Sequence, residues 1–149
     1  EQLGFPIPST PLLLTAGSTM PAETATYLSA HAGTDYAIGG PAGRADSAAQ
    51  PIVGTDRYDT AVRVAQTFFP SATIAGMASG VSFPDALAAG PHLASIGSPL
   101  LLSAPTTLPG TVDGFLTAHA VTAVWIFGGP ASIGSGVESA VHQLLAAGT

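Results

Sequence analysis

The strongest constraint on the fold is an internal repeat in the sequence. The tetrapeptide PLLL occurs at residues 11–14 and again at 99–102, and other residues match at the same spacing. These further pairs are Thr19 and Thr107, Pro21 and Pro109, Leu28 and Leu116, and His31 and His119. After one inserted residue, GGPA at 39–42 matches GGPA at 128–131. The repeat predicts the back half of a first unit over 1–50 and a complete second unit over 51–149.

Each predicted unit alternates short apolar strands with helices. The segment at 99–103 is apolar throughout, as expected of a strand in a parallel sheet that is covered on both faces. Other strands are predicted at 52–53, 73–78 and 121–127, and helices at 56–69, 84–95, 107–119 and 135–147. Ser82 and Thr107 stand where N-caps are expected. The order predicts an α/β fold of small three-layer αβα units with a mostly parallel sheet.

The composition excludes several kinds of chemistry. The chain has no Lys and no Cys, and its three cations, Arg44, Arg57 and Arg63, stand against nine carboxylates. Without Lys and Cys there is no Walker-A lysine, Schiff-base lysine, thiol nucleophile, disulfide or thiolate metal site. The formal net charge of −6 argues against nucleic acid as a partner. We expect no cofactor.

The histidines and the apolar segments predict neither a metal site nor a membrane span. His31 and His119 are equivalent positions in the two repeats, each at the predicted end of a helix. His92 and His142 have no histidine at metal-ligand spacing, so no zinc site is expected. No segment has the roughly 20 consecutive apolar residues that a membrane-spanning helix needs, and the first residues do not resemble a signal peptide.

Four motifs resemble those of the cell-wall-binding repeat type two family. They are IVGTDRYDTA at 52–61, ASGVSFPDALA at 78–88, PLLL at 99–102 and FGGPASI at 127–133. They occur in the family's order and at its spacing, and residues 3–42 match the back half of the same repeat. The resemblance implies a non-catalytic extracellular module that anchors a secreted surface protein non-covalently to the wall of a Gram-positive bacterium.

The resemblance also implies partners for the chain. The implied ligand is an anionic secondary wall polymer, with peptidoglycan as the other wall component to consider. The family's repeats usually occur as three tandem copies about a pseudo-threefold axis, whereas this sequence carries about one and a half. Further copies of the repeat, in the same chain or in neighbouring chains, are therefore expected partners in a trimer-like assembly.

The PLLL strands match the motif that the family associates with wall attachment. The motif comprises Pro11, Leu12, Leu13 and Leu14 in the first repeat and Pro99, Leu100, Leu101 and Leu102 in the second. Three consecutive leucines in a parallel strand are also ordinary core residues, each worth roughly 1.5–3 kcal/mol when buried. Direct contact with the wall and maintenance of the fold are both open interpretations.

A polymer-binding site is predicted at the carboxyl ends of the strands, where ligands bind in open α/β sheets. The residues expected there are Ser79, Gly80, Ser82, Ser103, Thr107, Gly128, Gly129 and Ser132. Small hydroxyl residues beside free helix N–H groups can hold a phosphate or a carboxylate without lysine. The alternative interpretation is that each of them is a helix cap or a turn residue.

Two charged residues are further candidates for polymer binding. Arg57 stands at a predicted helix start, and its guanidinium suits bidentate pairing either with a phosphate or with a structural carboxylate. Asp85 is either a ligand of a divalent ion that bridges protein and polymer or a cap of its own helix. The sequence leaves both choices open.

Two other classes of function compete with wall binding. Ser82 lies between a strand and a helix, where an α/β-hydrolase carries the nucleophile of G-x-S-x-G, but Pro84 stands in place of the last glycine. Asp113 and either His119 or His142 would complete the triad in chain order. The third class is a purely structural surface-layer or oligomerisation module, which would assemble without affinity for a wall polymer.

Overall fold

The computed structural model describes residues 11–119 and 121–147. Its backbone forms two compact units, which divide between Val53 and Gly54. Alternating helices and strands in parallel sheets confirm the predicted α/β fold class. The repeat boundaries at 1–50 and 51–149 stay a prediction, and residues 1–10 of the predicted first repeat lie outside the described part of the chain.

The first unit contains two helices and two short strands. In chain order they are α1 (Ala22–Ala30), β1 (Tyr36–Ile38), α2 (Gly40–Ala45) and β2 (Gln50–Ile52). The strands pair in parallel, with Ala37 opposite Pro51 and Ile38 opposite Ile52. Among the described residues of this unit only Ala37 and Ile52 are buried, and neither helix buries a residue. The described part of the first unit therefore has almost no apolar core.

The first PLLL segment is not a strand, so that prediction is wrong. Residues 11–15 have no regular secondary structure, and Leu12 and Leu14 are 85% and 75% exposed. A strand of consecutive leucines needs a partner strand and a layer of side chains on each face. In the described part of the first unit, β1 and β2 pair only with each other, so residues 11–14 have no strand beside them.

The second unit is a three-stranded parallel sheet with four helices. In chain order its elements are α3 (Arg57–Phe68), β3 (Ile74–Ser79), α4 (Phe83–Ser95), β4 (Leu100–Ser103), α5 (Gly110–Ala118), β5 (Ala123–Ile126) and α6 (Ser135–Ala147). The strand order is β4-β3-β5, with β3 in the centre. Among the described residues, no helix is long and apolar enough to cross a membrane.

The sheet of the second unit separates two helical layers. Ala75 and Met77 of β3 and Leu101 of β4 are fully buried in one cluster with buried residues of α3, α5 and α6. Side chains alternate between the faces of a strand. Position 76 therefore faces away from that cluster, and a Cβ atom at Gly76 would be directed toward Leu93 of α4. The arrangement is the predicted three-layer αβα unit, with one helix on one face and three on the other.

A glycine in the central strand allows α4 to lie close to the sheet. A Cβ atom at Gly76 would fall 2.3 Å from Cδ1 of Leu93, well inside van der Waals contact. The absence of a side chain at this position lets the Leu93 side chain, which is 2% exposed, occupy the space over the strand. The packing of α4 therefore depends on Gly76.

The structure corrects two details of the predicted helix starts. Thr107 is not a helix cap, because α5 begins at Gly110 with Pro109 in extended conformation as its N-cap residue. A proline also disfavours helical conformation in the residue before it, which keeps residue 108 out of the helix. Ser82 does occupy the N-cap position of α4, but its side chain makes no capping hydrogen bond.

Candidate functional site

The candidate site is the edge of the second unit's sheet at which its three parallel strands end. Strands β3, β4 and β5 end at Ser79, Ser103 and Ile126. Hydrogen bonds continue one residue beyond the strands, since Gly80 N donates to Ser103 O at 2.8 Å and Phe127 N donates to Met77 O at 2.8 Å. The loops that follow the three strands therefore start from one rigid edge.

Arg57 lies at this edge, against the end of β3. Its Nη1 atom donates a hydrogen bond to the carbonyl oxygen of Gly80. A Cβ atom at Gly80 would fall 2.6 Å from Cε1 of the Tyr58 ring, so a residue with a side chain would displace this turn. The Arg57 side chain is exposed and its partner is a neutral carbonyl, so its charge is not compensated by a carboxylate there.

A network of carboxylates fixes the start of α3 and with it the position of Arg57. Asp56 Oδ1 accepts from Asp59 N at 2.8 Å, and Asp59 Oδ2 in turn accepts from Thr55 N at 2.9 Å. Arg63 Nε donates to the same Asp59 oxygen at 3.1 Å. The Thr55 backbone hydrogen bond lowers the pKa of Asp59, desolvation opposes this effect, and the hydrogen bond and charge of the nearby Arg63 guanidinium lower the pKa further. The two carboxylates together order the first turn of α3 and the residue that precedes its N-cap.

Asp85 lies against the loop that follows β5. Gly128 has a φ of +110°, and a Cβ atom there would fall 2.5 Å from Asp85 Oδ2 and 3.0 Å from Ser132 Cβ. The structure thus brings Asp85, Gly128 and Ser132 together at the carboxyl edge. Among the described residues, no group of three or more histidine, aspartate or glutamate side chains could hold a metal ion.

The two serines that end β3 and β4 are buried and stabilise the turns that follow. Ser79 Oγ accepts from Val81 N at 3.2 Å and from Ser82 N at 3.3 Å. Ser103 Oγ donates to Ala104 O at 3.0 Å, and this side chain is fully buried. Their hydroxyl groups are therefore engaged in the protein itself.

The remaining small residues of the predicted site are more accessible. Ser82 and Thr107 are exposed, on the loops that follow β3 and β4. Gly129 is also exposed, and its carbonyl accepts from Ser132 N at 2.8 Å and from Ile133 N at 3.0 Å. The accessible polar groups of the edge are thus distributed over all three loops rather than gathered in one pocket.

The second PLLL segment does lie in a strand. Pro99 precedes β4 and is fully buried, and Leu101 is buried in the core cluster. Leu100 and Leu102 are half-buried on the opposite face, which is the face covered by α4. Burial of these leucines is expected if the motif serves to maintain the fold.

The side chains considered for a hydrolase do not form a hydrogen-bonded triad within the described residues. His119 Nδ1 contacts the Phe115 carbonyl at 3.1 Å, and Asp113 interacts with Thr117. His142 lies on α6, in a shallow depression that it shares with Glu138. Strand β3 also ends at Ser79, three residues before Ser82, so the serine does not stand on a sharp strand-to-helix turn.

The face of the sheet that carries α4 holds an aromatic cluster that was not predicted from the sequence. The Trp125 ring in β5 stacks on the His92 ring of α4, with centroids 4.9 Å apart and planes 19° apart. Phe127 lies beside His92 in a tilted arrangement, with a centroid distance of 6.3 Å. The signal available in the sequence was the only tryptophan of the chain, placed within a strand otherwise made of aliphatic residues.

Comparisons with known proteins agree with the motifs of the sequence. The family model described as cell wall binding domain 2 matches residues 52–138. No curated protein matches the sequence. Among solved structures, Cwp8 from Clostridium difficile superposes with a TM-score of 0.71 at 17% identity, covering 87% of this chain and 24% of that one. Cwp6 from Clostridium difficile gives a TM-score of 0.73 at 17% identity, covering 86% and 22%. The chain therefore spans about a quarter of the length of these similar proteins, and at this identity the likeness shows the fold.

Proposed function

The chain belongs to the cell wall binding domain 2 family and is a cell-wall-binding module, and we propose that it anchors a surface protein non-covalently to an anionic secondary wall polymer. The bacterium would be Gram-positive, and the module would act outside the cell, at the wall. The carboxyl edge of the β4-β3-β5 sheet is the proposed contact surface. The module has no catalytic role in this proposal.

The observation that carries the proposal is the exposed Arg57 guanidinium at the carboxyl edge. One of its N–H groups is used by the Gly80 carbonyl, and a guanidinium has five, so donors remain for a phosphate or carboxylate of the polymer. The exposed residues Ser82, Thr107 and Gly129 on the neighbouring loops supply further hydrogen-bonding groups. An acidic chain would in this way bind an acidic polymer through a guanidinium that no carboxylate pairs with.

The proposed affinity comes from several weak contacts rather than from one deep pocket. The accessible groups of the edge are few and lie on separate loops, so one unit would bind weakly. Linking several units raises the effective concentration of each site, and avidity then exceeds single-site affinity by roughly 10²–10⁴. A strictly monomeric unit should therefore bind walls far more weakly than an assembled form.

Further copies of the repeat are proposed partners. The exposed apolar residues Val81, Phe83 and Leu87 lie just before and along α4 and are 68%, 76% and 71% exposed. Apolar residues in contiguous exposed patches mark interaction sites. Sedimentation velocity of the wild type and of Leu87→Asp tests this proposal: assembly that the substitution abolishes supports it, and a monomer at all concentrations contradicts it.

Co-sedimentation with Gram-positive cell walls tests the proposed ligand. Walls are compared before and after mild acid removes their anionic secondary polymers. Binding that disappears on stripping is the expected result and identifies the ligand class. Binding that persists would assign the module to peptidoglycan, and an absence of binding to intact walls would contradict the proposed function.

The proposed role of the edge is tested with a matched pair of arginine substitutions. Arg57→Ala removes the exposed guanidinium beside Gly80, and Arg63→Ala removes the same charge elsewhere on α3, where the guanidinium pairs with Asp59. We expect Arg57→Ala to weaken wall binding by roughly tenfold or more, the effect of losing one charged hydrogen bond of about 1.5–3 kcal/mol. Arg63→Ala should change binding little. Equal losses in the two variants would indicate that only net charge matters.

A further inference from the structure

We propose that Trp125, supported by His92 and Phe127, forms a stacking platform for a neutral sugar ring of the wall polymer. The platform is the exposed surface of these three rings on the face of the sheet that carries α4. The inference rests on the proposed wall-binding function, and it adds a second site, on the face of the sheet that carries α4, with its own ligand chemistry.

The exposure of Trp125 is the first support for this proposal. Its register partner on β3 is Gly76, so the two residues share the sheet face on which α4 packs. Leu93 fills the space over Gly76, and α4 therefore lies over the central strand rather than over the edge strand β5. Trp125 stands beside the helix and is left 42% exposed, so part of its ring is accessible to a ligand.

The rigidity of the cluster is the second support. His92 stacks against the indole with nearly parallel planes, and Phe127 approaches His92 at an angle of 58°. Because the stack on His92 already restricts the rotamers of the indole, little conformational entropy is lost when a ligand binds to it. A pre-ordered aromatic surface of this kind suits a ligand that is itself a rigid ring.

The free polar atoms at the edge of the platform are the third support. Within the described residues, neither the indole N–H of Trp125 nor a ring nitrogen of His92 has a hydrogen-bond partner in the protein. A sugar ring presents C–H groups on one face and hydroxyl groups around its edge. The aromatic faces would contact the C–H groups by weak C–H···π interactions, and the nitrogens of Trp125 and His92 would form hydrogen bonds with the hydroxyl groups.

The charges of the chain argue that this ligand is neutral. The chain has no lysine, and the side-chain hydrogen bonds of Arg44, Arg57 and Arg63 go to Ser18, Gly80 and Asp59, none of which belongs to the platform. A platform for nucleotide bases would need cations along it to hold the phosphates. Neither arginine nor lysine therefore neutralises a phosphate-bearing unit at the platform, whereas a neutral sugar unit of the same polymer needs no cation.

The fluorescence of Trp125 tests the proposal in the unmodified chain. It is the only tryptophan, so the emission reports on this site alone. Phosphate-free oligosaccharides, released from Gram-positive wall polymer by hydrofluoric acid, are titrated into the protein, with inorganic phosphate as the comparison. We expect a saturable change of emission with the oligosaccharides and none with phosphate. No change with the oligosaccharides, or the same change with phosphate, overturns the proposal.

Three substitutions then measure the contribution of the ring. By calorimetry, Trp125→Ala should weaken oligosaccharide binding by roughly fivefold or more, as stacking contributions of about 1–3 kcal/mol imply. Trp125→Phe should retain most of the binding. Phe68→Ala is the matched control, because it removes a ring of similar exposure, 44% against 42%, from α3 on the other face of the sheet, and it should bind like the wild type. Binding by Trp125→Ala that equals the wild type overturns the proposal.

Two further results separate this inference from the proposed function. Wall binding that is undiminished in Trp125→Ala overturns the platform and leaves the anchoring function standing. Oligosaccharide binding by a protein that fails to sediment with walls overturns the anchoring function and leaves the platform standing.

The emission of the protein alone tests whether a second copy of the chain covers Trp125. A shift of the emission as the protein is concentrated without sugar shows that it does and overturns the proposal.

Discussion

The two PLLL segments have the same four residues and opposite environments. In the first unit Leu12 and Leu14 are 85% and 75% exposed, and the segment has no regular secondary structure. In the second unit Leu101 is fully buried, and its strand pairs along its whole length with β3. Identical local sequence therefore gives a core strand in one place and an exposed segment in the other.

The difference shows that burial of these leucines depends on their neighbours. Strand β4 is flanked by β3 and packed against residues of α3, α4 and α5. The described part of the first unit provides no such strand and no such layers beside residues 11–14. Removal of a leucine side chain from water is favourable, but it requires an apolar surface contributed by other parts of the chain.

Another pair of repeated residues behaves in the same way in both units. His31 and His119 each close a helix by directing Nδ1 at the carbonyl oxygen four residues earlier, at 2.9 Å and 3.1 Å. Each ring also stacks on the aromatic side chain at that earlier position, Tyr27 or Phe115, with centroids 4.0 Å and 4.3 Å apart. All the atoms involved lie within one helical turn, so the arrangement forms wherever the helix forms.

The largest effect is expected from shortening a leucine in each PLLL segment. Leu101→Ala leaves a cavity in the core of the second unit and should lower its free energy of unfolding by about 2–5 kcal/mol. Leu12→Ala removes an exposed side chain and should change stability by less than about 0.5 kcal/mol. Urea denaturation of both variants measures the two values. Similar losses would show that Leu12 is buried in solution and would remove the contrast between the segments.

A smaller and equal effect is expected at the two helix-closing histidines. His31→Ala and His119→Ala each remove one hydrogen bond and one ring stack, and each should destabilise the last turn of its helix by about 1 kcal/mol. Amide hydrogen exchange in α1 and α5 measures the loss locally. His142→Ala on α6 is the control and should leave exchange in both helices unchanged. A loss at His119 without one at His31 would show that the closure depends on tertiary packing.

The smallest effect concerns Asp59, whose cap has no counterpart among the described residues of the first unit. Its pKa lies below the usual value near 3.8, so the ionised form stabilises the fold above that pH, and the contribution disappears as pH falls through the lowered pKa. Asp59→Asn should therefore reduce the melting temperature slightly at neutral pH and not at all in strong acid. Thermal melts across this range measure it. A deficit that persists unchanged in acid would contradict an electrostatic origin.

The sequence predicted much of the fold and only part of the candidate site. The helix at Ser135–Ala147 and the strand that ends at Ser103 follow from apolar periodicity and from glycine and proline boundaries, which are local signals. Thr107 was wrongly predicted as a helix cap, because capping propensity alone does not show that Pro109 holds the chain extended. The contact of Arg57 with the Gly80 carbonyl joins the start of α3 to the turn after β3, which are 23 residues apart, and neither motif indicates it.

What the sequence determined by itself is the order and type of the elements, the family to which the motifs belong, and the helix closures at His31 and His119. These depend on interactions between residues that are close along the chain. The tertiary structure alone decided which PLLL segment is buried, that Asp85 lies against Gly128, and that Trp125 stacks on His92. Each of these depends on surfaces from distant segments, whose contact is fixed only once the sheet and its helical layers have assembled.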